Sequence, residues 1–149
     1  MSAIKQFFSD KTHYFVVGAS TQPEKYGNKV LKWYIDHELP VTPVNPNAET
    51  KIYGLPVLES LAEALKRHFD KDHPKISVSF VTPPKVSLRE IQMVADISAL
   101  TEIQSLWFQP GSCDDDVINF CECFGFSKEK GNLIDGECIL VEGEEGLMK

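Results

Sequence analysis

Short apolar runs that stop at glycine or proline alternate along the chain with longer stretches in which apolar residues recur every three or four positions. The first run, residues 13–18, reads His-Tyr-Phe-Val-Val-Gly, and residues 27–37 then place Val30, Leu31 and Tyr34 at helical spacing. A β-branched and aromatic run of this length is typical of a buried parallel strand, and the helical spacing indicates an amphipathic helix. The chain therefore opens with a predicted strand, a loop and a helix.

The alternation continues to the last third of the chain. Further strands are predicted at residues 40–46, 55–58, 76–81, 103–108 and 132–135. Pro43 removes one ladder donor, which predicts an irregular second strand. Ser60 and Glu63 fit a capping box, and Ser112 is expected to lead into another helix. The acidic, glycine-bearing residues 143–149 are expected to form a flexible tail.

Strands that alternate with helices pair in parallel through right-handed crossovers. Six such strands predict a doubly wound α/β fold, with a mainly parallel sheet in the order 3-2-1-4-5-6 and helices on both faces. A chain of 149 residues, 42% of them apolar, has the size and the apolar content of one domain, so residues 1–149 are expected to form a single domain. In this order the switch point lies between strands one and four, and a ligand is expected on the loops after Gly18 and Val81.

The two helices beside that point begin without an acidic residue. The first begins at residues 27–29 (Gly-Asn-Lys), and the segment after strand four begins at residues 82–85 (Thr-Pro-Pro-Lys). Free N–H groups and a lysine at a helix start favour a bound phosphate, whereas the helices after Ser60 and Ser112 carry acids that already complement their dipoles. We interpret the pair of starts as an anion site. The alternatives are solvated surface lysines and a helix that starts one turn later, at a Ser87–Glu90 capping box.

The loop departs from the pattern of a dinucleotide site. Such a site shows G-x-G-x-x-G at the first turn and an acid at the end of strand two. Here eight residues separate Gly18 from Gly27, and strand two ends in Asn45 and Pro46. NAD is therefore the weaker choice of cofactor.

Five short motifs lie in a specific order along nearly the whole chain. They are Val-Gly-Ala-Ser at 17–20, Pro-Val-Asn-Pro at 43–46, Tyr-Gly-Leu-Pro-Val at 53–57, Thr-Pro-Pro at 82–84 and Trp-Phe-Gln-Pro-Gly at 107–111. Together with the glycine after the first loop, they resemble the small CoA-binding protein family, which is related to the N-terminal CoA-binding domain of the succinyl-CoA synthetase α subunit. The resemblance covers roughly residues 11–140 and implies a Rossmann-like fold that binds coenzyme A or an acyl-CoA.

The resemblance also implies where the ligand lies. The loop from Gly18 to Gly27 would wrap the phosphates with Lys25 as the nearest cation, Asn45 and Pro46 would lie near the adenosine, and the loop at 82–84 would border the opposite wall. Gln109, at the carboxyl end of strand five, is placed to hydrogen-bond the ligand. The expected cofactor-binding residues are Gly18, Ala19, Ser20, Thr21, Lys25, Gly27, Asn45, Pro46, Thr82, Pro83, Pro84 and Gln109.

No catalytic residue and no metal ligand is assigned. The four histidines lie in different predicted elements, outside any recognisable nucleophile motif, and are expected to be surface or structural residues. The synthetase needs a phosphohistidine on a further domain, so ligase activity of this chain alone is not expected. Cys121 and Cys123 are two apart on a helix and point to different sides, which disfavours a metal site. Cys138, where the family often has cysteine, is expected either to face the coenzyme thiol or to fill the core.

Composition narrows the remaining functions. A net charge of −7 disfavours broad binding to nucleic acid or to anionic membranes, and no stretch approaches the ~18 apolar residues of a membrane span. Four cysteines without a disulfide framework favour the cytoplasm.

Three functions remain open at this point. The leading hypothesis is a small stand-alone module that binds CoA or an acyl-CoA as a carrier, a sensor or a regulatory partner, with a protein partner or a homo-oligomer allowed. The second is an NAD(P)-dependent Rossmann enzyme. The third is a scaffold whose nucleotide site is vestigial.

Overall fold

The chain folds into a parallel sheet between two layers of helices; the computed structural model describes residues 2–47 and 51–148. The strands are β1 Thr12–Val17, β2 Val41–Val44, β3 Lys51–Ile52, β4 Leu55–Pro56, β5 Lys75–Phe80, β6 Ser105–Phe108 and β7 Leu133–Asp135. The helices are α1 Ala3–Phe7, α2 Tyr26–Asp36, α3 Leu61–Arg67, α4 Pro84–Asp96, α5 Asp115–Cys123 and α6 Ile139–Leu147, and a 3-10 turn spans Leu100–Glu102.

The central sheet has five strands in the order β2-β1-β5-β6-β7, all paired in parallel. The predicted α/β fold is therefore confirmed. The strand order reverses between β1 and β5, so the switch point also lies where the sequence places it.

The predicted third strand, residues 55–58, is wrong as a full strand of the central sheet. The chain turns back at Tyr53 and Gly54, both with positive φ, and β4 pairs with β3 in a small antiparallel hairpin. Leu58 alone bridges in parallel to Val44 beside β2. The order 3-2-1-4-5-6 thus keeps its outermost position only as a single bridge.

Pro43 lies inside β2, which is the edge strand on this side of the sheet. The Pro43 carbonyl accepts the N–H of Leu58 at 3.1 Å, so this residue's hydrogen-bonding side faces away from β1. The donor that proline lacks would therefore lie on the outer side of β2. Its absence leaves the hydrogen bonds between β1 and β2 in register.

Helices cover both faces of the sheet, as predicted. The helices α1, α2 and α6 pack on the face that carries Val16 and Trp107, and α3, α4 and α5 pack on the face that carries Phe15 and Phe108. Trp107 and Phe108 are both fully buried. Both aromatic residues are therefore core residues on opposite faces, as the strand period requires.

Helix α5 begins later than the sequence suggests. Its N-cap is Asp114, whose carboxylate accepts the N–H of Val117 at 3.0 Å. The Ser112 hydroxyl instead donates to the Gln109 carbonyl at 2.7 Å, which occupies it in the turn before the helix. The Ser60 cap of α3 is confirmed, since its hydroxyl accepts the N–H of Glu63.

Helix α6 replaces most of the flexible tail that the sequence predicts after Glu142. Gly143 and Gly146 are buried where this helix crosses Trp33 and Ile4; a Cβ at Gly143 would lie 2.5 Å from the Trp33 ring. The glycines that suggest a loose tail are thus the residues that allow close helix packing. The longest helix, α4, has 13 residues, and no helix in the described part of the chain has the length and apolar character to cross a bilayer.

Candidate functional site

A cavity of about 310 Å³ opens at the carboxyl ends of β1, β2 and β5, at the switch point of the sheet. Its walls come from the loop after β1, the turn after β2 and the start of α4. The lining residues are Gly18, Ser20, Lys25, Asn45, Pro46, Asn47, Val81, Thr82, Pro83, Val86 and Arg89. None of these described residues is acidic, although the chain as a whole is strongly negative.

The structure brings seven of the twelve expected binding residues together around this cavity. Those seven are Gly18, Ser20, Lys25, Asn45, Pro46, Thr82 and Pro83. The other five, which do not line it, are Ala19, Thr21, Gly27, Pro84 and Gln109. Sequence reasoning missed Asn47, Val81, Val86 and Arg89, of which Arg89 adds a second cation beside Lys25.

Gly18 and Gly27 shape the loop after β1. Gly18 has φ +97°, and a Cβ there would lie 2.8 Å from Cγ2 of Val81 and 2.9 Å from Cγ2 of Thr82. A Cβ at Gly27 would collide with the carbonyl oxygen of Gly18. Only glycine at both positions lets the start of α2 pack directly on the end of β1, next to the loop after β5.

Two asparagines hold this loop in place. The Asn45 Nδ2 donates to the Ala19 carbonyl at 2.7 Å, and its Oδ1 accepts the N–H of Asn47. The buried Asn28 donates to the Ser20 carbonyl at 2.8 Å and accepts from the Tyr53 hydroxyl at 2.6 Å. Ala19, which we expected to touch the ligand, therefore has a carbonyl that is already engaged inside the protein.

The start of α2 carries an uncompensated positive end. Lys25 is the N-cap, no described side chain caps the helix, and no acid lies in its first turn. The first N–H groups of a helix without a side-chain cap are available to an anion, and the helix dipole adds to the attraction. The exposed Lys25 side chain lies on the same cavity.

The start of α4 faces the cavity from the other side. The helix begins at Pro84 with Pro83 as N-cap, so the alternative start at a Ser87–Glu90 capping box is wrong. The Ser87 hydroxyl bonds to that of Thr82 at 2.7 Å. Pro84 has no N–H, so this helix end offers fewer free donors than α2 does. The Arg89 side chain supplies the positive charge on this wall instead.

A family model described as "CoA binding domain" matches residues 12–144. The chain belongs to the CoA binding domain family. The match spans every strand of the sheet and both loops that form the cavity. Among curated proteins, none matches the chain significantly.

Solved structures of similar proteins share this fold. A conserved hypothetical protein from Pyrococcus furiosus is 34% identical, with a TM-score of 0.66 over 88% of this chain and 98% of that one. A hypothetical protein from Pyrococcus horikoshii is 21% identical, with a TM-score of 0.71 over 98% of this chain and 90% of that one. A protein redesigned for binding is 22% identical, with a TM-score of 0.70 over 99% of this chain and 91% of that one.

Gln109 and Cys138 of this CoA binding domain do not line the cavity and belong to a separate polar cluster. The fully buried Gln109 accepts through Oε1 from the N–H of Ile139 at 2.8 Å and from the Tyr26 hydroxyl at 3.1 Å. The Tyr26 hydroxyl also lies 2.6 Å from the Cys138 Sγ. Burial and this bond raise the pKa of Tyr26, which keeps its hydroxyl protonated. Gln109 therefore ties α2 to α6, a role that its position at a strand end did not reveal.

Three of the four histidines, expected to be scattered, meet at the other end of β1. His13 and His73 both place Nδ1 against the Asp70 carboxylate, at 2.9 Å and 3.0 Å, and the His13 Nε2 lies 2.8 Å from the Thr42 hydroxyl. The His68 ring packs on His13 with centroids 4.7 Å apart. This cluster fastens the connection between α3 and β5 to the start of the sheet. It lies far from the cavity, at the opposite end of the strand.

All four cysteines of the CoA binding domain are free thiols. Cys121 is buried and Cys123 is exposed, which confirms that the two point to different sides of α5. Burial raises the pKa of Cys121 to about 12. Within residues 2–47 and 51–148, no group of three or more His, Cys, Asp or Glu side chains is arranged to hold a metal ion.

Proposed function

We propose that this chain binds coenzyme A in the cavity at the switch point of its sheet. One observation carries the proposal: two loops and two cations, Lys25 and Arg89, meet on a cavity whose described lining has no acid. In a chain of net charge −7 this arrangement concentrates positive potential at one place. A pyrophosphate between the uncapped start of α2 and the Lys25 side chain would use the free N–H groups of that helix.

Membership of the CoA binding domain family supports CoA over other phosphorylated ligands. The end of β2 supports the same choice against NAD. An NAD site places a carboxylate there for the ribose hydroxyls, whereas this chain has Asn45, whose side-chain donor is used by the Ala19 carbonyl.

We propose a role as a carrier or sensor of CoA or of its acyl thioesters. The cavity offers contacts for phosphate and ribose. Its Ser20 hydroxyl accepts the N–H of Gln22 and is thereby held within the loop. The Thr82 hydroxyl is likewise bonded to Ser87. Both hydroxyls therefore shape the loops around the ligand.

Native purification followed by mass spectrometry of bound nucleotides tests the proposal. We expect CoA or an acyl-CoA to co-purify, and calorimetry to give tighter binding for CoA and acetyl-CoA than for NAD and NADP. Comparable or tighter binding of NAD would overturn the assignment. Loss of CoA binding in Lys25→Glu places the ligand in this cavity; unchanged binding in that variant would place it elsewhere.

A further inference from the structure

Arg89 lies on the cavity wall but outside the first turn of α4, where a helix end attracts anions. It is exposed and sits in the second turn of α4, past the first turn where free N–H groups and the helix dipole act. Its charge is therefore an addition to the helix-end attraction. Among the described side chains, neither Arg89 nor Lys25 takes part in an ion pair.

The turn after β2 lines the same cavity. Asn45, Pro46 and Asn47 stand where a sheet of this kind receives the ribose of its nucleotide. A site for a ribose with free hydroxyls carries an acid at this place, and a site for a ribose phosphate has an arginine nearby. The described lining contains no acid and one arginine.

The two cations approach the cavity from different walls. Lys25 is the N-cap of α2, on the wall that holds the uncapped helix start. Arg89 comes from α4, whose start has a proline without an N–H at its first position. In the proposed function the pyrophosphate lies at the start of α2 beside Lys25, which leaves the guanidinium of Arg89 for a further phosphate. A guanidinium suits this task because it binds phosphate through two parallel hydrogen bonds.

We propose that Arg89 recognises a phosphate on the ribose, so that the cavity selects 3′-phosphorylated CoA over dephospho-CoA. This inference rests on the proposed function and adds the group that sets its specificity. It also assigns different phosphate groups of the ligand to the two cations: Lys25 contributes to the affinity for both molecules, and Arg89 contributes only to the affinity for the one with the third phosphate.

Calorimetry with CoA and dephospho-CoA at low salt tests the proposal on the wild-type chain, Arg89→Ala and Arg89→Lys. We expect the wild type to prefer CoA by about tenfold or more, since a charge-assisted bond of this kind is worth that factor. Arg89→Ala should lose this preference by weakening CoA alone, and Arg89→Lys should keep part of it because the charge remains. Lys66→Ala removes an exposed cation of α3 outside the cavity and should leave both affinities unchanged.

The outcomes separate this inference from the proposed function. Equal binding of CoA and dephospho-CoA by the wild type would overturn the role of Arg89 while leaving CoA binding in place. An equal loss for both ligands in Arg89→Ala would show a general anion contact and also overturn the inference. Binding of neither ligand by the wild type would overturn the proposed function and this inference together.

Discussion

The Asn45 side chain donates a 2.7 Å hydrogen bond to the carbonyl oxygen of Ala19, which joins the turn after β2 to the loop after β1. The family resemblance implies that Asn45 lies near the adenosine of the ligand. In the structure its amide nitrogen is committed to the protein, and its Oδ1 accepts the N–H of Asn47. The residue therefore positions two walls of the cavity relative to each other.

Replacing Asn45 by Asp should weaken both the fold and CoA binding. A carboxylate cannot donate to the Ala19 carbonyl, so two acceptors would face each other, and we expect a loss of about 1–3 kcal/mol in the free energy of unfolding. Urea denaturation and calorimetry measure the two effects. Asn47→Ala removes an exposed side chain from the same turn, so it is the control and should unfold like the wild type. A stable Asn45→Asp variant that prefers NAD would contradict this view of the residue.

Lys25→Glu should weaken CoA binding about tenfold or more while changing the free energy of unfolding by only about 0.5 kcal/mol. The side chain is exposed and lies on the cavity, so the reversal acts on the ligand rather than on the core. Calorimetry at two salt concentrations measures the loss, which should shrink at high salt as the charges are screened. Lys71→Glu reverses an exposed loop charge away from the cavity. An equal effect of both variants would mean that net charge, and not this site, sets the affinity.

Gly18→Ala should destabilise the chain more than Gly54→Ala does. Both glycines have positive φ, so both variants carry the backbone strain of a left-handed residue. A Cβ at Gly18 would also press on Val81 and Thr82, whereas one at Gly54 would meet nothing within 4 Å. We expect an extra cost of about 1–3 kcal/mol at Gly18, measured by urea denaturation. Equal costs would show that the loops after β1 and β5 are not packed as tightly as described.

Glu90→Ala should destabilise α3, although Glu90 belongs to α4. Its buried carboxylate accepts the N–H of Leu61 at 2.9 Å, at the first position of α3. Removing the acceptor leaves a buried donor unpaired, which costs about 1–3 kcal/mol. Glu90→Gln keeps an acceptor oxygen and should recover part of the loss in a thermal denaturation. If the two variants unfold alike, the bond to Leu61 contributes little.

Stability should fall as the pH drops through about 6.5, the ordinary pKa of histidine. Burial lowers the pKa of His13 and of His68, so the unfolded chain takes up protons there before the folded chain does. A second fall in stability is expected in stronger acid, where Asp70 takes up a proton. Burial raises the pKa of Asp70, but hydrogen bonds from His13 and His73 outweigh burial and lower this pKa below 3.8. Thermal denaturation between pH 8 and pH 3 measures both steps. His68→Gln should flatten the first step, and an unchanged slope would contradict the assignment.

Much of the sheet could be predicted because the five strands of the central sheet each have a local sequence signal. The predicted ends at Gly18, Val81 and Phe108 lie within one residue of the ends of β1, β5 and β6. Parallel pairing then places their carboxyl ends at one edge, which is why the cavity lies where the sequence indicates. The third strand failed because pairing of residues 55 and 56 depends on the turn at Tyr53 and Gly54, whose hairpin competes with the sheet.

The parts of the site that could not be predicted depend on where a side chain points. The sequence indicates only where its residue lies along a strand or helix. Arg89 reaches the cavity only because α4 begins at Pro84; a start one turn later would change which turn of the helix lies at the cavity. Gln109 lies at the strand end where a ligand contact is expected, yet it turns inward to Tyr26 and Ile139. Helix α6 was missed because glycines in a sequence favour a loop. Here Gly143 is needed because a side chain at this position would collide with the Trp33 ring.

Pro43 also disfavours pairing between this edge of the sheet and a strand of another molecule. A sheet that ends in an ordinary strand offers a row of donors to which a strand of another molecule can add, and such additions begin aggregation. Here the outward-facing donor of β2 at that point is missing, and the facing carbonyl is taken by Leu58. At residue 43 the edge of the sheet therefore offers neither a donor nor a free acceptor to another molecule, and a valine there would restore one outward-facing donor.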